Sequence, residues 1–336
     1  MPDKLSIRLE VQNNPVDNDV PALFAVVRPI LVGLLYALKK DIVAEAKSYD
    51  KIKLKMLPRY YRRGDGDFGI CFEYAVHDAL QRQDSLVVER VADAIKLCKV
   101  PGTSINSILF GAEKQGASQL IATAKETLTD ESVVLAGVRS RPPKLKNYLN
   151  VLAAAFRRPT TRLSLPTSIN GLWKADLFLG TTDGDKWVGT SVKSNPTQLE
   201  SANGLRVGII PETQGRSDRI RKDERKNLII CPLPYDGAFM EIFNYGWNIV
   251  QQLIEADAKL PKDVALPAPS HRYVARELVA RREFTVLDIV DALGAVAQPE
   301  LLSTSEQKKS TAPTGEGRRL IEGVLSPLPK KVKRKK

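Results

Sequence analysis

The chain has 336 residues, 43% of them apolar and 27% charged, a balance that suits a folded protein with a substantial core and excludes a disordered or staple-dependent small scaffold. Its three cysteines, Cys71, Cys98 and Cys231, are odd in number and lack C-x-x-C spacing, which excludes a disulfide framework and a thiolate zinc site and leaves reduced, buried thiols. A net charge of +12 favours polyanionic partners, nucleic acid foremost, although six of those charges sit in the last seven residues.

In chain order, residues 1–58 read as an N-terminal helical segment, with helical periodicity over 23–46. The apolar run 22–38 is interrupted by Arg28, Pro29 and Gly33 and ends in Lys39-Lys40, so it reads as a buried helix and no membrane role is expected. Met1 to Asn14 lacks the pattern of an export signal, and the expected location is the cytoplasm, near the nucleoid, or the nucleus if the chain is eukaryotic. The core is expected over 59–260. It opens with Arg59-Tyr60-Tyr61-Arg62-Arg63 and a turn at 64–67, and continues as a helix over 68–80 for which Asp67 is the candidate cap.

Residues 85–158 carry a helical apolar series (Val87, Val91, Ile95, Leu120, Ile121, Leu128, Leu135) and read as a helical insertion. After Pro159 the pattern turns to strands, expected at 162–165, 172–179, 186–192, 205–210 and 228–231. Thr182-Asp183-Gly184-Asp185 predicts a tight hairpin between the second and third, because Asp-Gly supplies the positive φ such turns need. A helix follows over 238–260, a C-terminal helical segment over 261–300 with its helix at 273–292, and a basic tail over 301–336 too poor in apolar residues to offset its ordering entropy.

Two charges stand where these strands normally bury hydrocarbon. Asp176 lies within Trp173-Lys174-Ala175-Asp176-Leu177-Phe178, and Lys193 ends Thr190-Ser191-Val192-Lys193 on the next strand. A buried unpaired charge costs on the order of several kcal/mol, so each needs a partner or a metal. A plain cross-strand ion pair satisfies that requirement. So does a catalytic site: phosphodiester hydrolysis needs a hard cation on carboxylate oxygens and a group that steadies the attacking water.

An acid in an amphipathic helix, then a strand Asp, a hairpin and an x-x-Lys strand resembles the PD-(D/E)xK superfamily of restriction-endonuclease-like nucleases over residues 65 to 255. Glu73, in Gly69-Ile70-Cys71-Phe72-Glu73-Tyr74, matches the helix acid, Asp176 the strand Asp, and Ser191-Val192-Lys193 the (D/E)-x-K. The resemblance implies an α/β fold with a central mixed sheet flanked by helices. It implies Mg²⁺, with Mn²⁺ able to substitute, held by Glu73, Asp176 and the Val192 carbonyl, and Lys193 orienting or activating water, its pKa open to lowering by the site. The chain departs from the pattern at Ser191, a hydroxyl where most members carry a carboxylate, for which Gln198 or Glu200 is a candidate substitute. It departs again in the long stretch between Glu73 and Asp176, read as an insertion for dimerisation or substrate choice.

His77 follows Glu73 by four residues and shares its helix face, either as an accessory to the site or as a packed histidine. Arg59, Arg62 and Arg63, interleaved with tyrosines, and Arg216 and Arg219 in the basic stretch 216–226 are candidate nucleic-acid contacts, against the alternative of solvated surface. Lys330 and Lys331 head the tail, which reads as a sequence-blind nucleic-acid arm or an import signal. The expected function is a Mg²⁺-dependent DNA endonuclease, of the kind found in anti-phage defence or restriction, with RNA as a further substrate and a homodimer or a defence-system protein as the partners to consider. The alternative is a DNA-binding or scaffold protein that keeps the fold after losing catalysis.

Overall fold

The structure is a computed structural model that describes residues 19–38, 45–61, 67–111, 124–137, 141–181, 183–200, 202–213, 219–235, 237–260 and 265–294. The expected tail over 301–336, Arg62, Arg63 and Arg216 lie outside these residues. Two compact units divide the chain: Gly64–Met240, and Met1–Arg63 together with Glu241–Lys336. The N-terminal helix and the C-terminal helical segment, read separately from the sequence, therefore belong to one unit.

The helices, in chain order, are α1 (Asp19–Ala37), the one-turn α2 (Leu57–Tyr60), α3 (Asp67–Gln81), α4 (Ser85–Leu97), α5 (Leu145–Arg157), α6 (Gly237–Glu255), α7 (Pro269–Ala280) and α8 (Val286–Gly294). The strands are β1 (Ile105–Leu109), β2 (Val133–Val134), β3 (Leu177–Thr181), β4 (Lys186–Val192), β5 (Arg206–Pro211), β6 (Arg221–Asp223) and β7 (Leu228–Leu233).

In the unit built from both chain ends, α1 is apolar nearly all round and packs on α7 and α8. By length and composition it is the one described helix able to cross a membrane, and most of it is buried within the protein. Arg28 Nε donates to the Val290 carbonyl at 3.2 Å, which ties α1 to α8. Two helices, α7 and α8, replace the single one expected over 273–292, because the chain turns at Arg281–Thr285 to pair its backbone with residues 52–55.

The other unit holds one mixed sheet in the order β1-β3-β4-β5-β7-β6, with β2 added beside β4. β1, β3 and β4 run antiparallel in succession, while β4, β5 and β7 run parallel. The predicted β3–β4 hairpin is present, but its left-handed residue is Asp185 (φ 48). That carboxylate accepts from Thr129 and Ser132, at 2.7 and 3.1 Å, which holds the turn.

On one face, α3 packs against β1 and α4 against β7. Asp84 caps α4 by accepting from the Val87 N–H at 3.1 Å. A second core, with Leu149 and Leu152 of α5 packed among Leu172, Trp173, Phe178 and Trp187, includes side chains from both the sheet and the segment before β3. Residues 85–158 are thus not a helical insertion, since they supply two strands of the central sheet. Residues 162–165, expected as a strand, lie in and just after a 3₁₀ turn (Pro159–Ser164) that Pro159 opens, and 172–174 form another, so β3 begins only at Leu177.

Candidate active site

Asp176 sits one residue before β3, and its backbone is fixed on both sides. Its N–H donates to the Thr190 carbonyl of β4 at 2.7 Å, and its own carbonyl accepts from the N–H groups of Phe110 and Gly111 at 2.8 and 2.7 Å. The side chain is 6% exposed. Its Oδ2 accepts from the Val192 N–H at 2.9 Å and from Lys193 Nζ at 3.0 Å. Both donors lie at the end of β4, where Lys193 extends the ladder by donating its N–H to the Ile209 carbonyl at 3.0 Å.

Glu73 arrives from α3 and is 8% exposed. It can enter because residue 111 has no side chain: a Cβ there would lie 2.5 Å from Glu73 Oε2. The other oxygen, Oε1, is 3.7 Å from Lys193 Nζ. Three residues from distant parts of the chain, Glu73, Asp176 and Lys193, therefore meet, with one ammonium facing two carboxylates.

Burial alone would push the Lys193 ammonium down, but the neighbouring Asp176 and Glu73 charges and the hydrogen bond to Asp176 outweigh it and hold the pKa above its ordinary value. The lowering that the sequence left open does not occur. At neutral pH Lys193 is a cation and supplies no base.

A further cation lies close by. Arg206 heads β5 opposite Gly189 and is completely buried. Its Nη2 donates to the Lys174 carbonyl at 3.2 Å, while Nε and Nη1 find no hydrogen-bond partner among the described residues. Desolvation lowers its pKa, and Asp176 and Glu200 work in the opposite direction. The signal for Arg206 was the one used for Asp176 and Lys193: a charge inside an apolar strand, Leu205-Arg206-Val207-Gly208-Ile209.

Ser191 is buried, two residues before Lys193, and its Oγ has no hydrogen-bond partner among the described residues. Gln198 is exposed in the turn after Lys193, and Glu200 pairs with Lys174 Nζ at 2.6 Å. His77 shares 2.8 Å with the Ser107 hydroxyl and so braces α3 against β1, and burial pushes its imidazole down to about 4, neutral at pH 7. Arg59 belongs to the other unit and pairs with Glu45 at 3.0 Å. Arg219 is exposed just before β6.

Among the described residues no three of His, Cys, Asp and Glu gather as a metal-ligating group. The donors that do gather are hard oxygens, the carboxylates of Glu73 and Asp176, at 3.7 and 3.0 Å from Lys193 Nζ. Mg²⁺ keeps several waters and commonly takes only one or two protein carboxylates, and the Lys193 ammonium already marks a position favourable to positive charge. The donor set fits such a cation. Comparison with protein-family models, curated proteins and solved structures found no match for this chain.

Proposed function

We propose that the chain is a divalent-metal-dependent nuclease, using Mg²⁺ or Mn²⁺ to hydrolyse phosphodiester bonds of DNA in the manner of a divergent PD-(D/E)xK site. The observation that carries the reading is the convergence of a helix carboxylate, a carboxylate at a strand start and a lysine at the end of the neighbouring strand. Local sequence proximity does not produce that meeting, and a simple surface ion pair does not require it.

When bound, the metal supplies charge stabilisation at the scissile phosphate and a more acidic water. Glu73 and Asp176 would hold it. The Val192 N–H orients the Asp176 carboxylate through Oδ2. Lys193, kept protonated by its two acids, acts as a fixed cation toward the water or the phosphate. Ser191 adds no charge, which leaves the site one carboxylate poorer than the usual pattern.

A second reading has its own observation. Lys193 and Arg206 already match the charges of Glu73 and Asp176 without any metal, the balance expected of a nucleic-acid-binding protein that does not cut. Incubating plasmid, linear and single-stranded DNA with the protein in Mg²⁺, Mn²⁺ or EDTA separates the two. Cleavage in either metal, abolished by EDTA and by Lys193→Met, is the result expected of a nuclease. DNA bound but intact in both metals would sink that reading in favour of the second.

A further inference from the structure

From Ser132 to Ala175 the chain holds eight Lys and Arg residues and not one Asp or Glu, a run that ends directly at Asp176. Within it Lys144 and Lys146 are engaged with Glu131 and Asp130. Lys174 pairs with Glu200 at 2.6 Å, and the remaining described cations after α5 begins gather with it on one surface. Arg157 and Arg158 are exposed at the C-terminus of α5, and Arg162 belongs to the 3₁₀ turn that follows. The Arg162 guanidinium lies 4.1 Å over the Trp173 ring and its Nε donates to the Ala155 carbonyl, which folds the turn back onto the helix. Lys174 approaches the same ring at 5.2 Å, two residues before Asp176.

The surface is not only basic. Leu163 is 89% exposed in the turn, and Phe156, whose ring lies tilted 6.1 Å from that of Trp173, keeps 43% of its surface exposed beside the two arginines. Exposed apolar groups beside a line of cations suit a ligand that offers both negative charge and apolar faces. A polynucleotide strand offers a matching pair of features, a line of phosphates and bases with open faces. Duplex DNA hides the second of these. Proteins that hold single strands combine a cationic track with aromatic groups on which bases stack.

We infer that this surface, from Phe156 and Arg157 through Leu163 to Lys174, binds a single-stranded polynucleotide and leads its backbone to Asp176. Arg157, Arg158 and Arg162 contact phosphates, and Phe156 and Leu163 meet unpaired bases. The delivery step rests on the nuclease reading above. The binding does not.

The test uses the full chain in EDTA, with fluorescence anisotropy of a labelled oligothymidylate and of a duplex of equal length. Arg157→Ala/Arg158→Ala is compared with Lys96→Ala/Lys99→Ala, which removes as many exposed cations near the C-terminus of another helix, α4. The arginine pair should weaken single-strand binding by about 10-fold or more and lower its salt slope by roughly 1.4, the value for two phosphate contacts on a single strand. The lysine pair should stay within about 2-fold of wild type, and Phe156→Ala should cost roughly 5-fold or more, the low end for one stacked base. Equal losses for the two pairs would mean that Arg157 and Arg158 serve only the helix dipole and general charge, and would overturn the inference. So would tighter binding of duplex than of single strand, or a Phe156→Ala variant that binds like wild type. Cleavage of the same oligonucleotide in Mg²⁺ is read separately. Binding that depends on the arginines, without cleavage, removes the nuclease reading and keeps this one; cleavage indifferent to the arginines does the reverse.

Discussion

Gly111→Ala probes the meeting of Glu73 and Lys193 without touching either. The added methyl would sit 2.5 Å from Glu73 Oε2 and 3.7 Å from its Cδ, where ordinary contact begins near 3.4 Å. The carboxylate must retreat by about 0.9 Å, and as the end of a flexible side chain it can do so without moving the backbone. If its distance to the Lys193 ammonium grows from 3.7 Å to about 4.6 Å, the attraction weakens by at most about 1 kcal/mol at an effective dielectric near 20. For a unit of this size that corresponds to a Tm lower by about 2–4 °C. Catalysis is more sensitive than stability, because a misplacement of about 1 Å can cost on the order of 100-fold in rate. Thermal melts combined with timed plasmid nicking in Mg²⁺ should therefore show a nearly unchanged fold and a rate about 10- to 100-fold slower. Full-rate cleavage by a folded Gly111→Ala protein would refute the claim that the Glu73 carboxylate has a set position in the reaction.

Because its pKa is raised, the stability that Lys193 contributes is fully present below its ordinary value near 10.5 and is lost only as the pH climbs through the raised one. The pH–rate profile should then show no limb from Lys193 between about pH 6 and about pH 9, and such a limb, absent in Lys193→Arg, would contradict the assignment as a fixed cation. For His77 the sign is opposite: its folded pKa of about 4 lies below the ordinary 6.5, so stability is complete above 6.5 and falls as the pH drops from there to about 4. Urea midpoints measured between about pH 7 and about pH 4.5 should decline by the equivalent of up to about 3 kcal/mol, and the decline should be blunted in His77→Gln. Arg206→Met removes one of the two cations that balance Glu73 and Asp176 and leaves the Lys174 carbonyl without its donor, so thermal melts should show a loss of about 3 kcal/mol. A variant as stable as wild type would show that the guanidinium, whose Nε and Nη1 find no hydrogen-bond partner among the described residues, balances neither carboxylate.

The parts of the fold read correctly from sequence are those whose pattern is local. β7 is a near-continuous apolar run, as a buried parallel strand tends to be, β4 and β5 carry β-branched and apolar residues between turn signals, and the Asp-Gly turn announces the β3–β4 hairpin. β1 escaped because Ile105-Asn106-Ser107-Ile108-Leu109 carries polar residues whose purpose lies elsewhere: Ser107 receives His77 and Gln81 from α3. Its strand partner is β3, about seventy residues later, so nothing adjacent in sequence announces the pairing. Asp176 and Lys193 were legible as charges out of place, and Glu73 through a resemblance. Gly111 was not, since the reason for a glycine there is a carboxylate that arrives from another helix.

The unit assembled from both chain ends has a consequence for biosynthesis. α1 is apolar nearly all round, yet two of the helices packed on it, α7 and α8, are made roughly 250 residues later. At about 5–20 residues per second, α1 waits on the order of 10–50 s without its native partners, while Gly64–Met240 emerges complete and free to fold. Nascent-chain capture by a holdase chaperone should therefore concentrate on α1. Truncation after α6 should yield a chain that aggregates through α1 even when the Gly64–Met240 unit is intact.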